Sequence, residues 1–168
     1  MLAQANKKEE AMKLTGSQEE YLKTIYLLGK NNKRVRVTDI ANKLKITKPS
    51  VNKGINTLKE MGLANYEAYG NISLTEEGEN LAVGIIKRQD ILEMFLVEVL
   101  EIDKKQAMEE AKAMKHVVSE DTALKLDKYI TEVLNLGDLD CGYDANSEKC
   151  RKCVKVTAKN RLRKNENN

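Results

Sequence analysis

All three cysteines of this chain fall within one stretch, "CGYDANSEKCRKC", at residues 141–153. They run Cys141-x8-Cys150-x2-Cys153. A C-x2-C unit lets two thiolates turn toward one ion. Lys149, Arg151 and Lys152 flank the pair, and nearby cations favour thiolate over thiol. Three thiolates fall one short of a closed tetrahedral zinc site, and they suit an iron–sulfur cluster completed by a non-cysteine ligand. Asp140, Asp144, His116 or a partner-chain residue is available for that place. The spacing leaves three readings open: a zinc or iron–sulfur site, a reversible disulfide, and ordinary surface residues.

A second stretch carries a different chemistry. From Lys43 to Lys59 there are five lysines, at 43, 45, 48, 53 and 59, and no acid. Lys30, Lys33, Arg34 and Arg36 lie just upstream. Such a cationic band suits the phosphates of DNA and makes binding weaken as salt rises. Within it, Ser50, Asn52, Asn56 and Thr57 are short polar side chains able to meet base edges or phosphates. Val51, Ile55 and Leu58 recur at helical spacing on the opposite stripe and are expected to face a core. The expected DNA-binding residues here are Lys48, Pro49, Ser50, Asn52, Lys53, Asn56 and Thr57. The plainer alternative is a solvated basic helix.

These residues need elements to hold them. "SQEE" at 17–20 fits a capping box, with Ser17 as N-cap and Glu20 as its partner, opening a helix that ends at Gly29. "RVRV" at 34–37 reads as a short strand or extended lead-in, and Thr38 as the cap of the next helix. "KIT" makes a tight turn; Thr47 caps a third helix, with Pro49 in its first turn and its end near Gly62. Residues 63–75 read as a hairpin whose tip is Tyr69, Gly70 and Asn71. Tyr69 and Asn71 are expected to contact the DNA backbone there rather than read bases. From Thr75 a helix of about 25 residues follows, then one capped by Asp103 through "HVV" and one capped by Ser119 ending at Gly137. Two short helices, a tight turn and a hairpin form the winged helix-turn-helix pattern.

The expected fold class is mainly α, a winged helix-turn-helix domain followed by an all-α dimerisation domain. Its parts are a flexible N-terminus at 1–16, the DNA-binding domain at 17–75, the helical domain at 76–137, and the cysteine segment with a basic tail at 138–168. Hydrophobic residues make up 41% and charged residues 33% of the chain, as in a globular helical protein. No apolar run approaches ~18 residues and no signal peptide is evident, so a cytoplasmic protein without a membrane partner is expected. There is no Gly-rich phosphate loop, and the single histidine has no evident nucleophile beside it, so no enzyme is expected.

The stretch "EEYLKTIYLLGKNNKRVRVTDIANKLKITKPSVNKGINTLKEMGLANYEAYGNISLTEEGENLA", with "KRQDILEMFL" and "MKHVVSEDTALKL", resembles the DtxR/MntR family of metal-dependent transcriptional repressors. The resemblance covers about residues 17–134. It implies a homodimer that binds a palindromic operator when loaded with Mn²⁺ or Fe²⁺. It also implies where the metal ligands belong. Glu20 matches the first acidic position and remains a possible ligand. The second matches Lys23, the next matches Gln89, two more match Lys112 and Lys115, and the last matches His116.

Mn²⁺ and Fe²⁺ prefer carboxylate and imidazole ligands, whereas a lysine ammonium has no lone pair to give. Regulation by Mn or Fe at that site is therefore not expected. The lysines have three readings: they replace the metal's charge beside Glu20, Asp90 or Glu93, they line a pocket for a small anion, or they point to solvent. His116 is expected to be a packed or hydrogen-bonded residue sooner than a ligand. The expected function is a homodimeric, sequence-specific DNA-binding transcriptional regulator, a repressor, with the cysteine segment as a possible replacement sensor. The alternatives are a regulator responding to a small anion at the lysines and a metal- or cluster-carrying adaptor that uses the winged helix for protein contacts.

Overall fold

The computed structural model describes residues 14–30, 34–67 and 70–135, and the backbone of 143–144 and 149–150. The chain divides into two compact units, Met1–Glu79 and Asn80–Asn168.

In the first unit, helix α1 (Gly16–Gly29) is followed by α2 (Val37–Leu44) and α3 (Lys48–Glu60). The cap of α1 is not Ser17 but Thr15: its Oγ1 accepts from Gln18 N at 3.3 Å, and Gln18 Oε1 accepts from Thr15 N at 2.7 Å. Thr15 and Gln18 satisfy the same box chemistry two residues earlier, so Ser17 and Glu20 fall inside the helix. The cap of α2 also differs from expectation. Arg36 is the N-cap, and the Asp39 carboxylate accepts from its N–H at 2.9 Å, leaving Thr38 within the helix.

The turn after α2 forms where "KIT" stands. Lys45 takes φ 56, and Ile46 N donates to Ala41 O at 3.1 Å. Thr47 then caps α3, accepting from Ser50 N, with Pro49 in the first turn. Gly62 at φ 74 ends the helix, as a left-handed glycine does.

Strands β1 (Ala64–Tyr66) and β2 (Ile72–Leu74) pair antiparallel, with Tyr66 opposite Ile72. "RVRV" contributes only an isolated bridge, in which Ile72 N donates to Val35 O at 2.9 Å. Gly70 takes φ 75 in the connection. Leu22, Ile25, Ile40, Val51, Ile55, Leu58, Leu63 and Ile72 form the buried interior of this unit.

Helix α4 (Glu76–Met94) starts in the first unit and carries the chain into the second. A Cβ at Gly78 would collide with the Leu63 carbonyl oxygen, so the close approach requires glycine there. The expected continuous helix to Leu100 instead widens into a π-helical turn, Phe95–Val99, closed by Leu100 N donating to Phe95 O. Helix α5 (Lys104–Met114) is capped by Asp103, and α6 (Glu120–Val133) by Ser119. Helix α5 ends before His116, which lies in the turn that follows, not on the helix as expected. Helix α6 ends at Val133, short of Gly137, with Asn135 left-handed at φ 49. Gly137 lies outside the described residues.

Two apolar clusters build the second unit. Ile91, Met94, Ala123 and Ile130 join α4 to α6, and Leu92, Leu96, Ala107 and Ala111 join α4 and its π turn to α5. A short hairpin, β3 (Tyr143–Asp144) with β4 (Lys149–Cys150), pairs Tyr143 with Cys150.

Candidate nucleic-acid interface and effector positions

Helix α3 divides into two faces. Val51, Ile55 and Leu58 are fully buried. Lys48, Pro49, Ser50, Lys53 and Asn56 are exposed, and Asn52 and Thr57 are half-buried. Lys43, Lys45 and Lys59 are exposed as well, so all five lysines of the band reach solvent. Burial of each large apolar side chain stabilises the fold by about 1.5–3 kcal/mol, and that stripe fixes which residues of α3 point outward.

Contacts from α1 and the hairpin hold α3 in place, and the sequence did not reveal them. Tyr21 of α1 lies with its ring where a Cβ on Gly54 would be, and its hydroxyl donates to Ser50 O at 3.1 Å. Burial raises the Tyr21 phenol pKa above its ordinary 10.0. From β1, the Tyr66 hydroxyl donates to Asn52 Oδ1 at 3.4 Å. Asn52 is thus one of three expected DNA-reading side chains with a partner inside the protein. Thr57 Oγ1 donates to Lys53 O at 3.1 Å, within its own helix. Ser50 Oγ is hydrogen-bonded to Thr47 Oγ1 at 2.9 Å, with either hydroxyl able to donate. Tyr69 lies outside the described residues, and Asn71 is half-buried beside β2.

The family's effector positions fall in different units. Glu20 and Lys23 are half-buried on α1 of the first. In the second, Gln89 is half-buried on α4, Lys112 is exposed on α5, Lys115 is fully buried at its C-cap, and His116 is half-buried. Arg88 Nη1 donates to Lys115 O at 3.0 Å, a cation at the carbonyl end of a helix. An anion pocket lined by Lys112 and Lys115 together does not match their burial: one side chain is in solvent and the other is enclosed.

No group of three or more His, Cys, Asp or Glu residues able to hold a metal occurs among the described residues. Lys115, at a position that the resemblance matched to a metal ligand, is wholly enclosed. Cys141 and Cys153 lie outside the described residues, and of Cys150 only the backbone is described. No described helix is long and apolar enough to cross a membrane.

Comparison with known proteins agrees with this architecture. Residues 13–72 match the family model described as "Iron dependent repressor, N-terminal DNA binding domain". Residues 75–134 match "Iron dependent repressor, metal binding and dimerisation domain". The chain is 37% identical over 114 residues to an uncharacterised HTH-type transcriptional regulator of Methanocaldococcus jannaschii, covering 67% of this chain and 91% of that one. It is 33% identical over 105 residues to the HTH-type transcriptional regulator MntR of Lysinibacillus sphaericus, covering 62% and 75%. The solved manganese regulator SloR superposes with a TM-score of 0.62 at 28% identity, over 68% of this chain. This chain spans only 53% of the length of that structure. Both units of the fold are thus matched, and the chain belongs to the DtxR/MntR family of transcriptional regulators, whose members are not enzymes.

Proposed function

We propose that the protein is a homodimeric, sequence-specific DNA-binding repressor that acts on a palindromic operator in the cytoplasm. The observation that carries this reading is α3, whose fully buried Val51, Ile55 and Leu58 turn Lys48, Ser50, Lys53 and Asn56 outward. Dimerisation is supported by apolar side chains left open on the second unit: Leu124 and Tyr129 are about half exposed, and Val117 is 84% exposed. A second copy would cover them, in keeping with the dimerisation role named for the family model that spans these residues.

Mn²⁺ and Fe²⁺ at the family's positions are not part of this reading, because Lys23, Lys112 and Lys115 stand there. The effector site moves instead to Cys141, Cys150 and Cys153, which suit zinc or an iron–sulfur cluster.

The test is fluorescence anisotropy on a duplex selected from a random library, repeated across a salt series. Affinity should fall steeply, with a log–log slope of about −0.9 per phosphate contact. Lys53→Gln should weaken binding on every sequence and reduce that slope by about 1. Absence of duplex binding at low salt would favour the adaptor reading. Metal and sulfide analysis of anaerobically purified protein, set beside a Cys141→Ser/Cys150→Ser/Cys153→Ser variant, tests the effector. Equal metal content in the two proteins would remove the thiols from the proposal.

A further inference from the structure

Among the described lysines and arginines, Lys115 alone is fully enclosed. A row on α5 sets its place. Ala107, Ala111 and Lys115 recur every four residues, and each has 0% exposure, so they share one face of the helix. Ala107 and Ala111 pack with Leu92 and Leu96 of α4 and its π turn. Arg88, one turn before Leu92, donates to Lys115 O at 3.0 Å. Lys115 thus ends the row that faces α4.

Burying an ammonium is costly unless acceptors or a carboxylate offset its lost hydration. Lys115 is not without a partner, and Gln89, Asp90 and Glu93 stand half-buried on α4 near Arg88 and Leu92. The unit that encloses this cation matches a model described as a metal binding and dimerisation domain. The resemblance puts Lys115 at a metal-ligand position and implies operator binding in the metal-loaded state. An ammonium offers a metal no lone pair and repels a divalent ion at the same place.

We propose that the enclosed Lys115 ammonium is the resident cation of this unit, standing where relatives place a divalent metal, so that the protein binds its operator without Mn²⁺ or Fe²⁺. This inference rests on the DNA-reading function proposed above and deepens it. Position 115 supplies the positive charge permanently, and regulation acts elsewhere.

The experiment uses the full chain, dialysed against EDTA and then assayed with and without added Mn²⁺. Thermal unfolding and anisotropy on the selected duplex are both read. Wild type should show the same midpoint and the same affinity in the two solutions. Lys112→Glu with Lys115→Glu removes the enclosed cation and returns carboxylates to two positions matched to ligands. With Mn²⁺ that variant should gain about tenfold in operator affinity, and its midpoint should rise. Lys112→Glu alone keeps the ammonium and should not respond to Mn²⁺. Lys115→Met, which fills similar space without charge, should lose about tenfold in affinity, with or without Mn²⁺.

A wild type whose midpoint or affinity depends on Mn²⁺ would overturn the proposal. So would a double variant that folds and ignores Mn²⁺, or a Lys115→Met variant that binds as wild type does. If the double variant does not fold in either solution, Lys115→Met decides. These outcomes leave the DNA-reading function intact. A wild type that binds no duplex in either solution would bring down that function, and the unfolding midpoints would still judge Lys115.

Discussion

Tyr21 serves the recognition helix with both ends of its side chain: the ring packs under Gly54 and the hydroxyl reaches Ser50 O. Gly54→Ala puts a methyl into the ring, and overpacking of this kind costs about 1–3 kcal/mol. Adding Tyr21→Leu to that variant should recover part of the loss, read as a non-additive double-mutant cycle in urea unfolding. Tyr21→Phe alone should cost about 1 kcal/mol at neutral pH through the lost hydrogen bond. The Tyr21 pKa is raised by burial, so the folded state holds its proton more tightly than the unfolded chain. Its contribution is complete below the unfolded pKa of about 10 and fades as pH rises through the higher folded value. Wild type should therefore lose stability more steeply than Tyr21→Phe as pH climbs past 10. Parallel curves would argue against the burial effect. Gly54 was readable only as a helix glycine in the sequence; that it faces a tyrosine 33 residues earlier depends on how α1 crosses α3.

At the scale of elements, local chemistry was legible where one residue type dominates a cap. Thr47, Asp103 and Ser119 cap their helices as expected. Where two boxes compete within a few residues, the sequence pattern chose wrongly: Thr15 and Gln18 close the box at α1, not Ser17 and Glu20. Thr15→Ala should therefore lower stability by about 1 kcal/mol, while Ser17→Ala should change it little. Equal effects in thermal unfolding would restore the Ser17 assignment. Ser119→Ala should also cost about 1 kcal/mol, since it loses the bond from Thr122 N. The π turn at Phe95–Val99 had no signal in the pattern of apolar residues. The wider turn lets Phe95 pack against both apolar clusters of the second unit, a demand set by α5 and α6 together.

For the whole molecule, the predictions concern assembly. If a second copy covers Leu124 and Val133, Leu124→Glu with Val133→Glu should yield a monomer in light scattering. That monomer should bind a palindromic duplex far more weakly than wild type, because the two recognition helices are then unlinked and each half-site is bound independently. A variant that remains dimeric would place the interface elsewhere. Lys115 offers a second measurement. Enclosed and at the end of α5, it should be worth several kcal/mol to remove in favour of alanine, since truncating a buried long side chain leaves a cavity as well as altered charge. Lys112→Ala, on the exposed side of the same helix, should be close to neutral.

By itself the sequence determined the element order, the buried stripe of α3, the basic band and the replacement of expected metal ligands by lysines. The first three depend on residue type at short spacing, where helical periodicity and charge are local properties, and the fourth was readable only through the family resemblance. Only the tertiary structure decided what occupies the polar side chains of α3, and which lysine is enclosed. Tyr66 takes Asn52 Oδ1 from across the wing, and Lys115 is buried while Lys112 three residues away is not. Those outcomes arise from contacts between residues distant in the chain, whose geometry is set by how helices and hairpin pack and not by any residue's neighbours in sequence.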